Sequence, residues 1–214
     1  MRDIAIYGAG GLGREVACVI ARINRKNPTW NFIGFFDDGK EIGTEVSHFG
    51  KIIGGINELN NWTKDLDIAL CFGNPHTLKT AHLKITNPKI YFPNIVVPTF
   101  WVSDPETLIL GQGNIITGDS LCSTNITIGN YNIFNGAVIL GHDVAIGNYN
   151  AFMHATHISG SVIIGDCNLF GVASFVKQGI RIEEGITLSP LSALLTKPKN
   201  NSTYIGNPAK IFKF

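Results

Sequence analysis

The sequence predicts an α/β, Rossmann-like half domain followed by a parallel β-solenoid of about five coils. Three observations carry this. A short apolar strand near the start runs into a glycine-rich loop. Strand-like and helix-like segments then alternate as far as residue 97. From Leu110 onward an apolar residue recurs at every sixth position. The expected division is therefore residues 1–97, the Rossmann-like domain, and residues 98–214, the solenoid with a C-terminal tail.

Residues 3–7, Asp3-Ile4-Ala5-Ile6-Tyr7, read as the first strand and lead into Gly8-Ala9-Gly10-Gly11-Leu12-Gly13. Residues 15–23 carry apolar positions at helical spacing. Residues 31–36 form a second strand that ends at Asp37-Asp38, residues 67–72 a third, and residues 89–97 a fourth. Strand–helix–strand order with short connections implies a small parallel sheet covered by helices. A glycine run after a strand and before a helix can receive a pyrophosphate on its backbone N–H groups. Asp37-Asp38, about 24 residues past Gly13, could accept bonds from a ribose or a base. Taken alone, that pattern suggests NAD.

Stepping by six from Leu110 to Leu194 meets 15 residues, all apolar, in a chain that is 44% hydrophobic. Chance would give this in one register about once in 200,000 trials. No helical or heptad pattern has that period. A second repeat has three times the length. Gly111, Gly129, Gly147 and Gly165 are 18 apart, as are Asn114, Asn132, Asn150 and Asn168, and likewise Phe134, Phe152 and Phe170. Three short strands per coil, with like residues stacked between coils, satisfy both repeats.

Strand alternation also assigns outward columns. One is Ile115, Ile133, Ala151 and Leu169; another is Leu121, Ile139, His157 and Phe175. Apolar columns on two of three sides would mark interfaces and suit a closed homotrimer.

Bulk properties exclude several classes. Net charge is +1, so a nucleic-acid partner is not expected. Apolar runs fall short of the ~18 residues of a membrane span. The start shows no signal-peptide pattern. Cys18, Cys71, Cys122 and Cys167 have neither metal nor redox spacing, which fits reduced thiols and a cytoplasmic protein.

Taken together, these motifs resemble the left-handed β-helix sugar acetyltransferases of bacterial surface-glycan synthesis, of the sialic-acid O-acetyltransferase and UDP-4-amino-sugar N-acetyltransferase types. The carriers are Gly8-Ala9-Gly10-Gly11-Leu12-Gly13-Arg14-Glu15, Gly34-Phe35-Phe36-Asp37-Asp38, Gly73-Asn74-Pro75, Gly141-His142-Asp143 and Tyr204-Ile205-Gly206-Asn207-Pro208-Ala209-Lys210. The left hand of the coil is implied by the resemblance alone. The resemblance further implies an acetyl-CoA donor, no metal, a small sugar or sugar-nucleotide acceptor and a homotrimer. Its N-terminal domain would hold the nucleotide part through Gly8, Gly10, Gly11, Asp37, Asp38 and Asn74, with no redox cofactor.

Acetyl transfer from a thioester needs a base for the acceptor, donors for the tetrahedral oxyanion, and both substrates held together. His142, at a coil corner, has the side chain suited to a base near neutral pH, and the adjacent Asp143 can orient it. The resemblance makes this pair the catalytic base and its helper, and makes Asn135 an active-site residue. Gly160 lies 18 residues after His142, one coil along the same corner, where a glycine leaves its N–H open to a thioester carbonyl. Val172 and Pro190 share a corner column with His154, and by resemblance line the pantetheine on a neighbouring subunit. Lys197, Lys199 and Lys210 could meet the nucleotide phosphates.

Leu12 and Ala151 stand where the N-acetyltransferase branch often has histidines, so the residues leave nitrogen and oxygen acceptors both open. No cysteine has a paired base, which points to direct transfer. Two other readings remain at this level. One is a zinc hydrase of the γ-carbonic anhydrase type, using His142, His154 and His157 across an interface. The other is a non-catalytic NAD-binding or structural trimer.

Overall fold

In a computed structural model of the chain, residues 1–213 are described, and two compact units are present, Met1–Pro98 and Thr99–Phe214. The first contains β1 (Arg2–Tyr7), α1 (Gly11–Lys26), β2 (Trp30–Phe36), β3 (Ile52–Gly54), α2 (Ile56–Asn60), β4 (Leu66–Leu70), α3 (Pro75–Leu83), β5 (Ile90–Tyr91) and β6 (Ile95–Val96). The first five strands form one parallel sheet in the order β3-β2-β1-β4-β5. Every residue of β4 is buried, as expected of a strand covered on both faces. On α1, Val16, Ala17, Val19 and Ile20 turn inward at helical spacing, and Arg25 and Lys26 sit favourably in its last turn.

Several boundaries differ from expectation. The first helix begins at Gly11, inside the glycine run, and extends to Lys26. The run is thus largely a helix N-terminus, with Gly10 as the residue before it. The expected strand over residues 89–97 breaks into β5 and β6, with Pro93 between them, a residue that cannot donate to a ladder. The third sheet position on the β2 side is filled by β3, which has too few residues to show a period.

The second unit winds as a parallel solenoid. Its first face stacks Trp101–Val102, Leu121–Cys122, Ile139–Leu140, His157–Ile158, Phe175–Val176 and Ala193–Leu194. The second stacks Ile109–Leu110, Thr127–Ile128, Ala145–Ile146, Ile163–Ile164 and Arg181–Ile182. The third runs from Ile115–Thr117 through Ile133–Asn135, Ala151–Phe152, Leu169–Phe170 and Thr187–Leu188 to Thr203–Ile205, and Lys210–Phe212 then adds antiparallel. The winding therefore exceeds the expected five coils, because a sixth, incomplete coil uses the C-terminal tail. Partners in these parallel ladders are 18 residues apart except at the two ends of the stack, where Trp101 pairs with Leu121 and Thr187 with Thr203.

The six-residue positions are the core. From Ile116 to Leu194 all are buried, and Leu110 at the open end is half-buried. The asparagine column bonds coil to coil: Asn132, Asn150 and Asn168 each donate from Nδ2 to the Oδ1 of the asparagine one coil earlier, at 3.0–3.1 Å. Phe134, Phe152 and Phe170 stack at 4.8 Å between centroids, the spacing of adjacent strands.

One expectation about the surface is corrected. Ile115, Ile133 and Ala151 are at most 1% exposed, so the third face is not an open apolar column. Strand alternation says only which way a side chain leaves its own sheet; it does not say whether other residues of the chain cover it. On the first face Trp101, Ile139 and Phe175 remain 36–54% exposed.

Candidate functional site

The corner between the first and second faces carries His142. Its imidazole Nδ1 donates to Asp143 Oδ2 at 2.7 Å, and both side chains are about half exposed, 51% and 49%. Asp143 turns the corner with φ +59°. Its other carboxylate oxygen, Oδ1, accepts from Asn125 Nδ2 at 3.0 Å. The bond from His142, followed by that from Asn125, holds the Asp143 carboxyl below the usual carboxylate range.

Gly160 lies directly over the imidazole. A Cβ there would sit 2.6 Å from His142 Nε2 and 2.7 Å from Cε1, so only glycine leaves the ring its place. The coil-to-coil ladder fixes this stacking, since Leu140 pairs with Ile158 and Ser161 N–H donates to His142 O at 2.7 Å. His142, Asp143 and Gly160 therefore share one corner.

Asn135, Val172 and Pro190 occupy a different corner, where the third face ends. Asn135 is half-buried, and its Oδ1 accepts from Thr117 Oγ1 at 3.2 Å. Val172 and Pro190 are exposed, one coil apart, in the column of His154. The six solenoid candidates thus fall into two groups at opposite ends of the first face, and one chain does not bring Asn135 to His142. The three solenoid histidines are likewise dispersed: His142 on one corner, His154 on another over Gly136, and His157 on the strand between. Lys197 pairs with Glu183 at 3.1 Å.

In the first unit the candidates gather at the C-terminal ends of β1, β2 and β4. Gly8 has φ +108°, and a Cβ on it would meet Cys71 O at 2.6 Å. Asp37 Oδ2 accepts the Ala9 N–H at 2.8 Å, and Lys40 Nζ donates to Ala9 O at 2.9 Å. Asp38 accepts from the Tyr7 hydroxyl at 2.6 Å and from Ile56 N–H at 2.7 Å. Burial, and next the bond to Asp38, push the Tyr7 phenol well above its ordinary value, so it stays a donor. Asn74 caps α3, accepting from His76 and Thr77 N–H.

The two aspartates therefore build the site as well as line it, and Asn74 builds it by starting α3. Space at Gly10 and Gly11 is open, and the first turn of α1 offers N–H groups without helical acceptors. A cavity of about 290 Å³ is lined by Tyr7, Asp38, Phe72, His76, Thr77, Thr80, Ala81 and Lys84. A second, of about 340 Å³, is lined by residues that include Asp37, Asp38, Lys40, Ile42 and Glu58. The first opens where the strand order reverses between β1 and β4, the usual ligand crevice of such sheets, and the second lies beyond the ends of β2 and β3. Tyr7, His76, Thr77, Thr80 and Lys84 were not anticipated. Thr77, Thr80 and Lys84 recur at helical spacing, a signal that needs α3 to be recognised first.

A Rossmann-like unit joined in one chain to a hexapeptide solenoid with a corner His-Asp pair is an arrangement that known proteins share, including an acetyltransferase domain. Residues 3–84 match the PglD N-terminal domain family. Among solved structures, the chain is similar to the acetyltransferase domain of PglB from Neisseria gonorrhoeae FA1090, with TM-score 0.89 and 25% identity over 99% of this chain and 100% of that one. It shares its fold with PerB from Caulobacter crescentus, solved with CoA and GDP-perosamine, at TM-score 0.83 and 19% identity over 100% and 98% of the two chains. WeeI from Acinetobacter baumannii AYE shares it too, at TM-score 0.86 and 21% identity over 99% and 100%. No curated protein matches the chain. The resemblance read from the motifs, to sugar acetyltransferases of the left-handed β-helix type, is what these comparisons show.

Proposed function

We propose that the protein transfers an acetyl group from acetyl-CoA to an amino group on a sugar nucleotide, with His142 as general base. The observation that carries this is the stacking of His142, Asp143 and Gly160 on one corner. Asp143 occupies Nδ1, which leaves Nε2 as the nitrogen able to take a proton from an incoming amine. Gly160 N–H donates to no acceptor among the described residues and lies one coil away, suitably placed for the thioester carbonyl as it becomes an oxyanion. Cys71, Cys122 and Cys167 are buried, and burial pushes Cys122 up to about 12, which supports direct transfer over an acyl-enzyme.

The acceptor is read from the first unit. Two cavities that share Asp38, rimmed by Lys40 and Lys84, suit a nucleotide, and PerB, of the same fold, was solved with GDP-perosamine. The separation of the two corner groups supports a homotrimer, in which the His142 corner of one subunit faces the Asn135, Val172 and Pro190 corner of the next. No helix among the described residues is long and apolar enough to cross a membrane. A CoA thioester donor points to the cytoplasm.

The test is a thermal-shift screen followed by detection of free CoA thiol. Acetyl-CoA at 100 times its Kd adds ~2.7 kcal/mol of stability, which shows as a raised Tm. We expect acetyl-CoA and GDP- or UDP-linked amino sugars to raise it, and one pair to release CoA. Stabilisation by NAD but by neither acetyl-CoA nor any sugar nucleotide would contradict the proposal.

A further inference from the structure

The catalytic pair reaches back one coil further than the motif Gly141-His142-Asp143 suggests. Asp143 uses its two carboxylate oxygens on two partners: Oδ2 receives the His142 Nδ1–H and Oδ1 receives the Asn125 amide. Asn125 is 18 residues before Asp143, and both have left-handed backbones, φ +55° and φ +59°, so their side chains leave the corner in the same direction. Asn125 is itself held: its N–H donates to Thr107 Oγ1 at 2.9 Å, and Asp143 N–H donates to Thr124 O.

An unanchored carboxylate that is half exposed would rotate and exchange its partners with water. Bonds at both oxygens fix one rotamer, and with it the edge of the imidazole that Asp143 occupies. We propose that Asn125 is a positioning residue, whose carboxamide locks Asp143 so that His142 keeps its proton on Nδ1 and presents a bare Nε2. The proposal deepens the reading of His142 as the base and rests on it.

The competing explanation is local. Asparagine tolerates the left-handed region better than most residues, and that alone could place it at a corner. Asn125→Gly separates the two, because glycine accepts φ +55° at least as well and removes only the amide. The charged group facing His142 is Asp143. Its neighbours above and below, Thr124 and Gly160, are uncharged, and the next charge in the adjoining corner column, Lys177, stands two coils on.

Nitrogen-15 NMR of histidine-labelled protein reads the outcome without needing an acceptor sugar. The chain has six histidines, and the spectrum of His142→Ala assigns the one in question. In the wild type, neutral His142 should show one pyrrole-like and one pyridine-like nitrogen, with Nδ1 the protonated one. In Asn125→Gly the two resonances should move toward their average, with the Tm unchanged or raised. In Asn125→Asp, a second carboxylate beside the pair should raise the His142 titration midpoint by about one pH unit. Unaltered His142 resonances in Asn125→Gly would overturn the proposal. Loss of turnover in His142→Ala with that result would leave the base assignment standing and remove only Asn125 from it.

Discussion

At the scale of single residues the account depends on what each atom of the corner is left free to do. His142→Ala removes the proposed proton acceptor and should lower turnover by roughly 10²–10⁴-fold while acetyl-CoA still binds, measured by CoA release and by calorimetry. Gly160→Ala would place a methyl within 2.6–3.0 Å of the imidazole and tilt it aside. A ring displaced by about 1 Å costs on the order of 10²-fold in turnover, and the fold should stay intact, as circular dichroism can check. Asp143 supplies a pH test. Its folded carboxyl lies below the ordinary value, so its stabilising effect is complete above the unfolded pKa of about 3.9 and is lost as pH falls through the folded one. The Tm difference between wild type and Asp143→Asn should therefore exist at pH 6 and close in strong acid. The pair itself was legible in the sequence from the corner register. Asn125 was not singled out, although the same 18-residue step that links His142 to Gly160 leads from Asp143 back to it.

At the scale of elements the solenoid was legible because its core repeats one choice at every sixth position, so many weak preferences sum in one register. The asparagine column shows what that register enforces. Asn150 is fully buried; its Nδ2 donates to Asn132 Oδ1 and Gly165 O, and its Oδ1 accepts from the N–H and the Nδ2 of Asn168. Asn150→Leu would strand several of these groups away from water at about 1–3 kcal/mol each, and should lower stability by roughly 3–5 kcal/mol in urea unfolding. The Rossmann-like unit was less legible because no residue repeats in it. The three residues of β3 and the five of α2 are too short to carry a period, and α3 announces itself only through the Asn74-Pro75 cap. The helix start was misplaced because glycines read as loop, although a helix N-terminus that meets no side-chain cap tolerates them.

At the scale of the whole molecule, the proposed homotrimer rests on surfaces that a lone chain leaves unused. The exposed column of Trp101, Ile139 and Phe175 lies on the face between the two corner groups, so its burial would bring those corners together across subunits. Phe175→Asp should turn a particle three times the 23.2 kDa chain into a monomer by light scattering, and should remove turnover with it. The sequence overestimated this surface by one face, since whether a third-face side chain is covered depends on the folded chain and not on strand alternation. The most direct measurement is a crystal structure of the protein with acetyl-CoA. The thioester carbonyl should lie within hydrogen-bond reach of the Gly160 N–H, beside His142 Nε2, with pantetheine along Val172 and Pro190 of an adjoining subunit. A thioester bound away from the His142 corner would contradict the account.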